Sequence, residues 1–124
     1  IGPAGTVHVS LSDWARYVAC QLRSGRGEPA LLAPETFATM FTRPTEGIYA
    51  FGWGFVERDW GGGTVLTHAG SNTMNFAVVW MAPKRGFAVL AATNQGGNAA
   101  EQACDDVSVA LIDLYRSTIG PEAP

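Results

Sequence analysis

Two apolar runs, Phe76–Met81 and Phe87–Ala92, are separated by Pro83-Lys84-Arg85-Gly86. This stretch constrains the chain most. Each run is apolar at odd and even positions alike, so as a strand it needs cover on both faces. A turn of about four residues joins the runs as a hairpin. The chain must therefore supply layers above and below a sheet.

The flanking sequence offers such layers. Trp14, Tyr17, Val18 and Leu22 fall at helical spacing and predict a helix over Asp13–Arg23, with Ser10 or Ser12 as its N-cap. Ser24-Gly25-Arg26-Gly27 stops it. A second helix is expected from Pro34 to Phe41, since proline suits the first helical position. A terminal helix is expected from Ala99 to Ser117, packing through a stripe of Ala103, Val107, Ala110, Leu111 and Leu114. Gly120-Pro121 closes it. Gly2-Pro3-Ala4-Gly5 reads as loop. Tyr49–Arg58 reads as one strand whose Gly52 and Gly54 allow close backbone approach. Asp59–Gly63 reads as a turn, and Thr64–His68 as a short strand. The order helix, helix, strand meander, helix is an α+β pattern with an antiparallel sheet and flanking helices, in one domain over residues 1–124.

Composition narrows the partners. The formal charge is −3 with a single lysine, Lys84, which argues against nucleic acid or an anionic membrane surface. No apolar run approaches the roughly 20 residues of a bilayer span. Ile1–Ser10 carries no signal-peptide pattern, and the chain reads as an excised piece. Cys20 and Cys104 are too few for a disulfide framework and read as small buried side chains, a bridge between them being the alternative. Neither shares a metal-binding spacing with His8 or His68, so no metal and no cofactor is implied.

The densest polar cluster is Thr67-His68-Ala69-Gly70-Ser71-Asn72-Thr73. Histidine suits proton transfer or a hydrogen bond to a carboxylate. Gly70 lets a ligand come close, and backbone N–H groups on a strand edge beside a glycine can stabilise an oxyanion. The bland reading is a structural turn. Asn94, just past the second hairpin strand, either binds a ligand carbonyl or carboxylate or caps the turn after it. Trp14, Trp53, Trp60 and Trp80 read as packing residues, with Trp53 a candidate for lining a pocket. Asp13, Asp105 and Asp106 read as helix-end charges.

Taken in order, "YAFGWGF", "THAGSN", "FAVVWMAPKRGFAVLAATN" and the terminal helix resemble the C-terminal part of the class C β-lactamase-like serine hydrolases, a family of β-lactamases, penicillin-binding carboxypeptidases, D-aminopeptidases and esterases. The resemblance spans essentially the whole chain. It implies that His68-Ala69-Gly70 stands where the family carries Lys-Thr-Gly or His-x-Gly. His68 would then face the nucleophile's pocket, Gly70 would keep the strand clear of substrate, and the Ser71 N–H would give one of two oxyanion-hole donors. Asn72 and Asn94 would lie beside the substrate. Ala69 lacks the hydroxyl of the family's middle residue, which favours an ester, amide or peptide over a β-lactam as substrate.

Two family motifs are absent. Position 81, three before Lys84, is Met81, so there is no Ser-x-x-Lys; nor is there a Tyr-x-Asn. The resemblance therefore implies that nucleophile and base lie in a missing N-terminal part of the same protein, and that this piece associates with that part or with itself. The competing readings are a non-catalytic module binding a peptide or small acid, and a structural domain in which "HAGSN" is a turn.

Overall fold

The computed structural model describes residues 2–28 and 31–119. A single helical turn, α1 (Pro3–Thr6), leads into α2 (Leu11–Gly25) and α3 (Pro34–Met40). The strands β1 (Tyr49–Ala50), β2 (Trp53–Arg58), β3 (Gly63–Ser71), β4 (Phe76–Ala82) and β5 (Phe87–Thr93) follow, and α4 (Asn98–Ile119) ends the described chain. The five strands form one antiparallel sheet in sequential order, β1-β2-β3-β4-β5. The protein is thus α+β, with helices on both faces of the sheet.

Each face has its own core. Val18 and Leu22 of α2 pack on Phe55, Leu66, Val79 and Met81. On the opposite face, Ile112 packs with Val65, Phe87 and Val89, and Ala100 and Cys104 pack with Phe76, Val78 and Ala91. This is the double cover that the apolar hairpin demands. Trp53 is buried in the first core. Trp60 packs edge-on against Trp80 in the second layer.

Local chemistry explains the helix ends. The Ser10 side chain accepts from the Asp13 N–H at 3.1 Å and caps α2. At the other end Glu28 N–H bonds Arg23 O and Gly27 N–H bonds Ser24 O, with Gly27 at φ +74°, the left-handed stop. The helix exceeds the expected range by two residues at each end because Ser10, not Ser12, is the cap and Gly25 remains helical. The Gly2–Gly5 segment is not wholly loop: Pro3 opens a helical turn, with no N–H to leave unpaired. The expected stop at Gly120-Pro121 lies outside the described residues.

Three expectations need correction. Tyr49–Arg58 is not one strand. Phe51 (φ +52°) and Gly52 (φ +87°) form a two-residue turn between β1 and β2, so Gly52 serves the turn rather than a close approach. The strand expected at Thr64–His68 runs on to Ser71, since β4 pairs with it as far as Ser71↔Phe76. The buried stripe of α4 is Ala100, Cys104, Ser108 and Ile112, not the one through Val107 and Leu111. Small side chains let the helix lie close to the sheet, and Ser108 satisfies its own hydroxyl on Cys104 O at 2.8 Å. Size, rather than hydropathy, selects this face.

Cys20 and Cys104 are free thiols on helices against opposite faces of the sheet. Burial pushes the Cys104 thiol up from its ordinary value, and the Asp105 carboxylate adds to this. Gln21 is the anomaly on the α2 side: it is 2% exposed, and neither amide atom has a hydrogen-bond partner among the described residues.

Two outcomes follow for stability. Gln21→Met raises the unfolding free energy by about 1 kcal/mol in urea titration, because it removes an unpaired buried amide; a loss of stability would mean that the amide has a partner. Ile112→Ala costs about 2–4 kcal/mol, whereas Val107→Ala stays within about 0.5 kcal/mol. The reverse order would restore the other stripe.

Candidate functional site

The site begins with an unevenly paired strand. Phe55 donates its N–H to Ile48 O at 2.7 Å, so its backbone polar groups face the β1 side. Groups alternate along a strand, so those of Gly54 and Val56 face β3. The register Gly54↔Thr67 then turns the N–H and C=O of Thr67, Ala69 and Ser71 toward the β2 side, and those of His68 and Gly70 toward β4. Pairing with β2 stops at Thr67. Ala69 and Ser71 therefore carry backbone donors on an edge that β2 does not cover.

Gly70 sits between them, exposed and paired with Ala77. Its φ lies outside the left-handed region, and a Cβ built on it would meet nothing within 4 Å. Neither backbone conformation nor packing requires glycine here. Open space above the strand is what remains.

His68 projects from the face of the sheet that α2 covers, beyond the end of that helix's core. Its Nδ1 lies 2.7 Å from Gly52 O and 3.1 Å from the Tyr49 hydroxyl. The Phe51–Gly52 turn delivers both contacts. Sequence reading missed Tyr49; its signal was the Gly52 turn, which folds β1 back along β2 and leaves the Tyr49 hydroxyl within reach of His68.

Ser71 and Asn72 hold the loop that follows. The Ser71 hydroxyl donates to Asn75 O at 2.8 Å and accepts from Thr73 N–H at 3.1 Å. It is committed to the turn, and its backbone N–H is what the site can use. Asn72 Oδ1 accepts from the N–H groups of Met74 and Asn75 and from Asn75 Nδ2, which leaves its own amide N–H₂ as the group to offer. The turn reading of "HAGSN" thus holds for its last two residues.

Asn72 and Asn94 line one cleft of about 1110 Å³, bordered also by His8, Trp14, Tyr17 and Ala77. Gly96 brings them together. A Cβ at that position would stand 2.2 Å from Thr73 O, so only glycine lets the loop after β5 press against the loop after β3. His68, Gly70 and Ser71 do not line this cleft; they border it through Gly70's partner Ala77. His8, Trp14 and Tyr17 were not expected at a site. They reach it because the capped start of α2 lies beside the ends of β4 and β5.

Among the described residues no three His, Cys, Asp or Glu side chains gather as a metal site, and no helix is long and apolar enough to cross a membrane. Comparison with protein-family models, with curated proteins and with solved structures finds no match to this chain.

Two variants probe this arrangement. Gly70→Ala leaves the thermal unfolding midpoint unchanged, the added methyl meeting only solvent. Ser71→Ala, which frees a carbonyl and an amide of the loop, lowers stability by about 1 kcal/mol. A Gly70→Ala protein that fails to fold would mean that the space above the strand is filled.

Proposed function

We propose that this chain forms the substrate-cradling part of a serine hydrolase pocket of the class C β-lactamase-like kind, acting on a small ester, amide or peptide. The nucleophile comes from polypeptide outside the chain. One observation carries the reading: the outward N–H of Ser71 on an uncovered edge, next to a glycine that packing does not require. A donor fixed in this way can receive the charge that develops on a carbonyl oxygen during acyl transfer. His68, three positions earlier on the same strand and exposed, would take up or hold a proton at this site. Asn72 and Asn94 present side-chain amides to the remainder of the substrate.

The outer surface agrees with a missing part. Val7, Val9, Leu11 and Tyr17 are each more than half exposed around the cleft. On the other layer, Leu111, Leu114 and Ile119 of α4 flank the edge strand β5 in an apolar groove. Surfaces of this kind mark interfaces. In the resembled family, N-terminal strands complete the sheet; here they would lie against β5. Self-association through the same edge is the outcome if that part is withheld.

A second reading rests on the cleft itself. Its lining residues all belong to this chain, and a non-catalytic module would hold a small acid or peptide there. Quenching of Trp14 fluorescence by ligand without turnover, in the full-length protein, would favour this reading.

The chain alone gives no acyl-enzyme burst with nitrocefin or p-nitrophenyl acetate, since loss of the serine nucleophile costs on the order of 10⁶ in turnover. The parent reading frame supplies Ser-x-x-Lys and then Tyr-x-Asn upstream. The joined protein acylates, and His68→Ala lowers its turnover by roughly 100-fold or more. A burst traced to a serine of this chain, or a reading frame without Ser-x-x-Lys, overturns the proposal.

A further inference from the structure

The geometry points to a fixed tautomer at His68: Gly52 O and the Tyr49 hydroxyl hold the imidazole as Nδ1–H, so that Nε2 presents a lone pair to a ligand group that donates a hydrogen bond. This inference deepens the proposed function and rests on it for the identity of the ligand, but not for the tautomer itself.

A carbonyl oxygen can only accept, and Gly52 O stands 2.7 Å from Nδ1. A bare Nδ1 would set two lone pairs against each other at that distance, so Nδ1 carries the hydrogen. The Tyr49 oxygen, 3.1 Å from the same nitrogen, then takes the weaker branch of a shared bond. Its own O–H stays available to donate. Nε2 makes no hydrogen bond among the described residues, and the ring is exposed. Neutral His68 therefore offers an acceptor at Nε2, with the Tyr49 hydroxyl and the Gly52 carbonyl at its other nitrogen.

This has consequences for specificity. A neutral imidazole with a bare Nε2 cannot donate to a carboxylate, and it repels one. It can accept from an alcohol or an amide N–H. Of the two roles open to this histidine, holding an acidic group or taking a proton, the tautomer selects the second. The favoured ligands carry a hydroxyl or amide hydrogen at this position. Tyr49 is a positioning residue, acting through His68.

The turn that supplies the carbonyl is itself unusual. Phe51 adopts φ +52° with its side chain 63% exposed, so no burial compensates for its left-handed backbone. Strain held at such a place accompanies a fixed functional geometry, and here that geometry aims the Gly52 carbonyl at the imidazole.

The test is a two-bond proton–nitrogen correlation spectrum of the protein labelled with ¹⁵N-histidine, at a pH where imidazole is neutral. His8→Gln removes the second histidine. The expected result is a proton-bearing shift at Nδ1 of His68 and a bare shift at Nε2, the reverse of the preference of a free histidine side chain in water. Tyr49→Phe keeps this order but moves the tautomer ratio roughly 2–10-fold toward Nε2–H, the worth of one weak hydrogen bond. A majority of Nε2–H in the unsubstituted chain overturns the inference. So does a Tyr49→Phe spectrum that gains Nδ1–H, since the tyrosine would then be donating to a bare Nδ1. No substrate enters the measurement. A failed tautomer thus leaves acyl transfer standing, and an inactive joined protein with the expected tautomer fails the proposed function alone.

Discussion

The uneven pairing of β3 governs the rest of the site. The strand runs beside β4 as far as Ser71, but beside β2 only as far as Thr67. Buried or covered backbone groups must pair within the protein, and only where a neighbour stops can a strand offer its amides to something else. The stop is set by the length of β2, which the Phe51–Gly52 turn limits. That turn makes the edge open, and it also places a carbonyl and a tyrosine against the first side chain beyond the covered stretch. Donor edge and oriented imidazole are thus two results of one hairpin.

Much of this was legible in the residues. The hairpin at 76–92 demanded cover on both faces and received it. Pro34, Ser10 and Gly27 mark helix ends by mechanisms that need no tertiary context. His68, Gly70, Ser71 and Asn72 share one polar heptad because glycine and small polar side chains collect where a strand loses its neighbours, whereas Asn94 and Tyr49 join them only through the fold. What could not be read is equally physical. Phe51 gives no hint of a left-handed backbone, since residues with large side chains rarely adopt one, and so β1 and β2 merge in the sequence. The packing face of α4 was misplaced because Ala100, Cys104 and Ser108 are small, and in the sequence the bulkier Val107, Leu111 and Leu114 outweigh them. His8, Trp14 and Tyr17 reach the cleft through a contact between α2 and the far ends of β4 and β5, which no local spacing encodes.

The two layers are finished to different degrees. The core beneath α4 is small, aromatic-rich and satisfied: Phe87 stacks on Tyr115, whose hydroxyl reaches Arg85 O at 3.3 Å. The layer beneath α2 contains an unpaired glutamine amide and is bordered by exposed valines, leucines and tyrosines. The cleft lies on the α2 side.

The contact between Gly96 and Thr73 is main chain against main chain. No rotamer can widen or narrow it. The gap between the two asparagine-bearing loops is accordingly set by the main chain alone, like a spacer of fixed width, and side-chain motion leaves it unchanged.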